Sequence, residues 1–119
     1  MPVHSRVRRT LVAIAALSTV IVLASPSQAG NVTVRGNNQA WHPRTANISE
    51  GEKVTWKAID TTHTVTAWKG NWSKNVTLSP GEKTHRIFHH AGTYRFRCTI
   101  HSDIVAGKCQ GMCGKVKVT

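Results

Sequence analysis

The stretch that decides the fold reads GTYRFRCTIH and spans residues 92–101. Two aromatic residues and Cys98 alternate with two arginines, and this period of two is typical of a strand with one buried face. If the aromatic residues face the core, Cys98 also faces inward, at the end of the strand. His101 follows three residues later, where we expect the strand to give way to a loop.

Working outward, the rest of the chain after residue 30 has the pattern of short strands. Val54, Trp56 and Ala58 alternate with polar residues, and turn residues recur at short intervals, as in the segments 36–38 and 79–82. No stretch after residue 30 has a sustained helical period. We therefore predict an all-β chain that folds as a β-sandwich of about seven to eight strands.

Length and composition limit the possible classes. The chain has 119 residues, which fits one domain. Its hydrophobic content of 39% and charged content of 18% are too apolar for simple disorder. No apolar run reaches 18 residues, so a conventional membrane span is not indicated.

The first 29 residues have the pattern of an export signal. Arg6, Arg8 and Arg9 form a basic start, residues 11–24 are apolar, and Ser27-Gln28-Ala29 supplies small residues before Gly30. The apolar run has the length of a signal peptide and is too short to span a bilayer. The paired arginines are compatible with either a twin-arginine or an ordinary signal. We predict a signal peptide at 1–29, cleavage near Ala29, and a single exported domain at 30–119 in the periplasm, at the cell surface or outside the cell.

The chain is basic, with 16 Lys and Arg against 5 Asp and Glu and a formal net charge of +11. The cations are scattered along the chain, and export removes most nucleic acids from reach, so we predict no nucleic-acid partner. A positive surface of this kind favours protein partners with acidic docking surfaces and is compatible with peripheral attachment to a membrane. We expect a monomer.

Four residues form a candidate metal site. His63 starts one predicted strand, Cys98 ends another, and His101 and Met112 follow in the next loop. Two imidazoles, one thiolate and a weak axial thioether are the ligands of blue-copper electron-transfer sites, because the sulfur donors suit Cu(I) and the imidazoles suit Cu(II). The pattern predicts one copper per chain and electron transfer without an enzymatic reaction.

The number of cysteines is odd. If copper takes Cys98, then Cys109 and Cys113 remain in an oxidising compartment and could pair. The sequence does not establish that their Cα atoms come within bridging range. Such a bridge would brace Met112, which lies between them.

The sequence resembles the cupredoxins, and among them the plastocyanin-like small blue copper proteins. The ordered set His63, then Cys98-x-x-His101, then Gly111-Met112-x-Gly114-Lys115-Val116 is the most specific part of this resemblance. It implies a Greek-key β-sandwich in which His63, Cys98 and His101 bind copper, Met112 is the axial ligand and the edge of His101 passes the electron. Weaker similarities accompany this set: Trp41-His42-Pro43, Gly51-Glu52-Lys53-Val54-Thr55-Trp56, Asp60-Thr61-Thr62-His63-Thr64-Val65, Pro80-Gly81-Glu82-Lys83 and Gly92-Thr93-Tyr94.

The segment between His101 and Met112 departs from the plastocyanin pattern. It is ten residues long, longer than in plastocyanins, and the two extra cysteines are absent from the corresponding loop there. We expect residues 102–108 to cover or reshape the face where partners dock.

Three other interpretations use the same residues. Cys98, His101, Cys109 and Cys113 could form a structural zinc site in an exported interaction module. The copper ligands could instead serve a carrier or storage protein that exchanges its metal. A cysteine–histidine nucleophile is a third possibility, but no orienting carboxylate or amide is evident in the sequence, so we expect no enzyme.

Two neighbours of His63 are candidates for tuning the site. Asp60 and Thr64 flank the histidine closely enough to hydrogen-bond the segments that carry the ligands. Such contacts orient metal ligands and shift the reduction potential.

Overall fold

The computed structural model describes residue 15 and residues 30–119. The predicted signal peptide therefore lies outside the described residues, apart from residue 15. Within the described part, nine strands and no helix are present: β1 Val32–Asn37, β2 Ala40–His42, β3 Thr45–Ile48, β4 Glu52–Ala58, β5 His63–Lys69, β6 Asn75–Leu78, β7 Lys83–Phe88, β8 Gly92–Val105 and β9 Lys108–Val118. No helix in these residues is long and apolar enough to cross a membrane.

The strands form two mixed sheets. One has four strands in the order β2-β1-β4-β7, and the other has five in the order β3-β9-β8-β5-β6. The pairs β1–β4 and β3–β9 are parallel, and the remaining pairs are antiparallel. The prediction of an all-β sandwich is confirmed.

Alternating side chains build the core between the sheets. Val54, Trp56 and Ala58 of β4 are fully buried, as the period of two predicts. Phe96 and Cys98 of β8 are fully buried as well, so Cys98 faces inward as expected. Aromatic rings make up much of the core volume, and ring centroids of Trp56 and Phe96 lie 5.3 Å apart in an edge-to-face arrangement.

The largest difference from the sequence prediction concerns the segment after Cys98. The predicted ligand loop is a strand hairpin, because β8 continues to Val105 and pairs with β9 from Lys108 onward. Ala106 and Gly107 have φ values of 50° and 74°, and two consecutive positive φ values are typical of the two-residue type I′ turn that suits hairpins. The count of nine strands also exceeds the predicted seven to eight, since β2 and β3 are short strands in the segment before β4.

A sharp bend interrupts β9 beside Met112. Residues four apart in a straight strand lie about 13 Å apart, yet the Cα atoms of Cys109 and Cys113 are 6.1 Å apart and their side chains form a disulfide. Gly111 lies within the bend with a φ of 98°, a conformation that L side chains rarely adopt. The bend turns Met112 into the core and redirects the hairpin tip.

Candidate metal centre

An irregularity in the β8–β9 pairing creates the centre. Arg97 pairs with Cys113 and Ser102 pairs with Gly111, so residues 98–101 lie opposite Met112 alone. These extra residues bulge out of the ladder and re-aim their side chains. The bulge contains both Cys98 and His101, and it faces the start of β5, where His63 is the first residue.

Three donor atoms converge at this point. The Nδ1 atoms of His63 and His101 are 3.3 Å apart, and Cys98 Sγ is 3.9 Å from the first and 3.4 Å from the second. A point equidistant from the three atoms lies about 2 Å from each, which is the usual distance between a transition metal and an imidazole nitrogen. These three donor atoms can therefore bind one metal ion without changing their positions.

Met112 lies on the same centre. Its side chain is fully buried. Gly36 of β1 marks where it reaches, because a Cβ on Gly36 would lie 3.0 Å from both the Met112 methyl carbon and the His63 ring carbon Cδ2, and 2.9 Å from Trp41. Because residue 36 has no side chain, the Met112 thioether and the His63 imidazole can both pack against the backbone of β1 at this point.

Asp60 fixes the orientation of the buried imidazole. His63 Nε2 donates to Asp60 Oδ1 at 2.9 Å, and Asp60 Oδ2 accepts from the backbone N–H of Asn38 at 2.8 Å. The hydrogen bond from His63, followed by the one from Asn38, lowers the pKa of the Asp60 carboxyl from its ordinary value. Because the carboxylate can only accept, the proton lies on Nε2 and the Nδ1 lone pair is free to bind a metal.

Thr64 secures the thiol-bearing segment through two contacts. Its backbone N–H donates to Cys98 Sγ at 3.3 Å, and its hydroxyl accepts from the backbone N–H of Thr99 at 2.8 Å. Ser102 adds a hydrogen bond from its hydroxyl to the Cys98 carbonyl. Thr64 of β5 therefore contacts the Cys98 sulfur directly, and Ser102 at the end of the bulge holds the Cys98 backbone.

The two histidines differ in exposure. His63 is fully buried, and Trp41 covers it with ring centroids 5.9 Å apart. His101 is half-buried, and its neighbour Ile100 is 55% exposed. The centre is therefore closed on the side of the core and approachable on the side of His101.

Comparisons with known proteins identify the family. A family model described as a cupredoxin-like domain matches residues 10–109, which is most of the chain. The chain is a member of the cupredoxin family. The match ends before Met112, so the family model does not cover that residue. A search of curated protein sequences returned no match.

Solved structures share the fold of this cupredoxin. Amicyanin from Paracoccus versutus is 25% identical with a TM-score of 0.62, covering 76% of this chain and 83% of that chain. A purple cupredoxin from Nitrosopumilus maritimus is 20% identical with a TM-score of 0.61, covering 74% and 99%. A Cu-containing nitrite reductase from Thermus scotoductus is 22% identical with a TM-score of 0.62; the match covers 75% of this chain but only 22% of the reductase.

The donor set of this cupredoxin matches a single type 1 copper. Two imidazoles and one thiolate form the trigonal group, and a thioether lies beside it, which is the arrangement of blue-copper sites. The zinc alternative is not assembled: Cys109 and Cys113 bond to each other, and Cys98 is the free cysteine of the described residues.

The sequence predicted the four candidate ligands but not all of the residues that hold them in place. It included Asp60 and Thr64 as neighbours of His63, without predicting which atoms they contact. It missed Gly36 and Asn38, which come from a strand and turn remote in sequence. The spacing of Asp60 three residues before His63 was the one available signal, since it allows the carboxylate to reach back to the ring.

Proposed function

We propose that this cupredoxin carries one electron at a time between redox proteins, with His63, Cys98, His101 and Met112 as the ligands of one copper. The observation that carries the proposal is the convergence of both Nδ1 atoms and Sγ within 3.9 Å of one another. Copper bound there supplies a reversible Cu(I)/Cu(II) couple. The chain's contribution is to hold the donors in one arrangement for both oxidation states.

The half-buried edge of His101 is the proposed route for the electron. The other three proposed ligands are fully buried, so a partner approaches copper most closely through this ring. Exposed apolar side chains lie nearby along the chain, at Ile100 and Ile104. A close, water-excluding contact at this face suits transfer between proteins that meet only briefly.

We further propose that residues 1–29 are a cleaved signal peptide and that residues 30–119 act outside the cytoplasm as a monomer. The proposed partners are redox proteins with acidic docking surfaces, in accord with the 13 Lys and Arg against 5 Asp and Glu in residues 30–119, a formal net charge of +8. Peripheral attachment to an anionic membrane is a further part of this proposal. The nitrite reductase has a much longer chain than this one, and we propose an electron carrier and not an enzyme.

A copper carrier or storage protein is the second candidate. It uses the same donors, but it must exchange its metal readily. The anchoring of His63 by Asp60 and of Cys98 by Thr64 favours the electron carrier, because preorganised ligands reduce rearrangement between oxidation states and slow metal release.

The decisive experiment is a Cu(II) titration of the protein followed by its visible spectrum and by intact mass after thiol alkylation. We expect an intense blue thiolate-to-copper band that saturates at one copper per chain, with Cys109 and Cys113 resistant to alkylation. Cys98→Ser should abolish the band, whereas Cys109→Ser/Cys113→Ser, which removes sulfur outside the proposed ligand set, should keep it. A band that survives Cys98→Ser would contradict the proposal.

A second measurement separates the two candidates. The copper-loaded protein is cycled between oxidation states in the presence of a competing chelator. A carrier of electrons keeps its copper over many cycles, whereas a carrier of copper loses it within the first few.

A further inference from the structure

A cavity of about 460 Å³ is lined by residues of β3, β5, β8 and β9 of the five-stranded sheet, and none of the four proposed copper ligands lines it. It lies between the sheet and the tip of the β8–β9 hairpin. Its principal lining residues are Arg44, Trp68, Lys69, Arg95, Lys108 and Lys115. We refer to it as the basic cavity, because five of these six side chains are cationic.

Two departures from regular strand geometry form the basic cavity. Consecutive residues in a strand face opposite sides of a sheet, but a register shift between Ala67 and Lys69 lets both Trp68 and Lys69 line it. On the other side, the disulfide-linked bend in β9 brings Lys108 and Cys109 of the hairpin tip to the same space. The cavity is therefore a consequence of the extended hairpin.

The positive charge of the basic cavity is not compensated by the protein. No carboxylate lines it. Across residues 30–119, the one close contact between a carboxylate and a basic side chain is between Asp60 and His63, so none of the five cations has an acidic partner there. The Arg44 guanidinium makes a single long hydrogen bond, donating to the Gly111 carbonyl at 3.4 Å. Converging like charges in a concave surface raise the local potential and attract anions.

The shape and chemistry of the cavity indicate the class of ligand. A guanidinium group can donate hydrogen bonds to two oxygens of a phosphate or carboxylate at once, and an ammonium group adds a point charge. The volume is in the range of small-molecule sites, and Trp68 provides an apolar face. We propose that the basic cavity binds a small phosphate-bearing anion with two or more negative charges, of which a phosphorylated metabolite or a free inorganic polyphosphate is the source.

The test is binding of inorganic pyrophosphate and of a nucleoside diphosphate, measured by calorimetry and by amide shifts in the NMR spectrum. We expect saturation at one ligand per chain, shifts at Lys69, Arg95 and Lys108, and affinity that falls with added salt. Because no cavity residue is a proposed copper ligand, the affinity should be the same with and without copper. Binding seen only in the copper-loaded protein would mean that the anion binds the metal, and it would overturn the proposal.

Matched charge variants locate the site. Arg95→Gln/Lys108→Gln removes two cavity cations, and Lys69→Gln/Lys115→Gln is a second pair that guards against a folding defect in the first. Lys53→Gln/Lys83→Gln removes two cations from β4 and β7 of the opposite sheet. Because each lost cation removes charge-assisted hydrogen bonds to the anion, the cavity variants should bind at least about tenfold more weakly. The control pair should bind almost as well as the parent protein.

Three outcomes would refute the proposal. Equal losses in cavity and control variants would indicate diffuse attraction to the net charge. No saturation at millimolar pyrophosphate and nucleoside diphosphate would show that the cavity is not an oxyanion site. Tighter binding of an acidic peptide, or of vesicles containing anionic lipid, in the absence of binding to the free anions would assign the surface to a protein or a membrane.

Discussion

At the scale of the residue, the clearest determinant of the centre is the carboxylate of Asp60. It sets the proton of His63 on Nε2 and thereby exposes the Nδ1 lone pair toward Cys98. Asp60→Ala should weaken copper binding by about 10–100-fold, the range seen when a partner of a metal-binding histidine is removed. Copper affinity by competition with a chelator measures this, and Asp60→Asn, which keeps an acceptor oxygen, should restore most of it.

A charge-matched control separates orientation from net charge. Glu82→Ala removes an exposed carboxylate in the turn before β7 and should leave copper affinity unchanged. If Glu82→Ala lowers the affinity as much as Asp60→Ala does, long-range charge and not orientation is responsible.

Met112 is the residue whose role rests most on the structure. Met112→Leu keeps the buried volume close to constant but removes the sulfur. Copper should remain bound with its blue colour, and the reduction potential should rise, because loss of one electron-donating ligand destabilises the more highly charged Cu(II) more than Cu(I). Cyclic voltammetry of the two proteins measures the shift, and an unchanged potential together with an unchanged spectrum would assign the axial position to another group.

At the scale of the element, the bulge of residues 98–101 is the feature that positions the thiolate and the exposed histidine. Thr64 of β5 holds it through the hydroxyl contact to the Thr99 N–H. Thr64→Val should loosen the bulge, lengthen the N–H contact to Cys98 Sγ and lower the potential. Thr77→Val on the neighbouring β6 is the control, since it pairs with Thr64 but lies away from the sulfur; equal potentials in all three proteins would remove Thr64 from the tuning of copper.

The Cys109–Cys113 disulfide spans the bend in β9. Closing a loop of about five residues contributes about 2 kcal/mol through the entropy of the unfolded chain. Cys109→Ser/Cys113→Ser should lower the free energy of unfolding by that amount in a denaturant titration. It should also release the constraint on Met112 and shift the potential, and a variant with full stability and an unchanged potential would show that the strand bends without the bridge.

These elements also show what a sequence can reveal about this protein. The alternation in β4 and β8 was readable because one face of each strand packs on the core, and the same period correctly turned Cys98 inward. The hairpin at 102–111 was not readable as strand, because most of its side chains are exposed and carry no apolar alternation. Gly36 was also missed, since its contacts with Met112 and His63 depend on the packing of β1 over a distant part of the chain.

At the scale of the whole molecule, the excess of positive charge affects how fast the protein associates with charged partners. Residues 30–119 carry 13 Lys and Arg but only 5 Asp and Glu, a formal net charge of +8. One of these five, Asp60, is engaged at the metal centre and another, Glu50, accepts from the backbone N–H of Ala91. Attraction between such a protein and an anion acts over about 10 Å at 0.1 M salt and about 3 Å at 1 M.

Electron exchange with small redox complexes should therefore depend on their charge. The rate with an anionic complex should fall as salt is added, since steering by the positive field is screened, and the rate with a cationic complex should rise because repulsion is screened. Stopped-flow loss of the blue band measures both rates. The Lys53→Gln/Lys83→Gln protein should show a smaller salt dependence with the anionic complex, because long-range steering depends on the summed field and not only on charges near His101. Salt profiles that are the same for complexes of opposite charge would mean that the positive surface plays no part in recognition, and the proposed acidic docking partners would lose their physical basis.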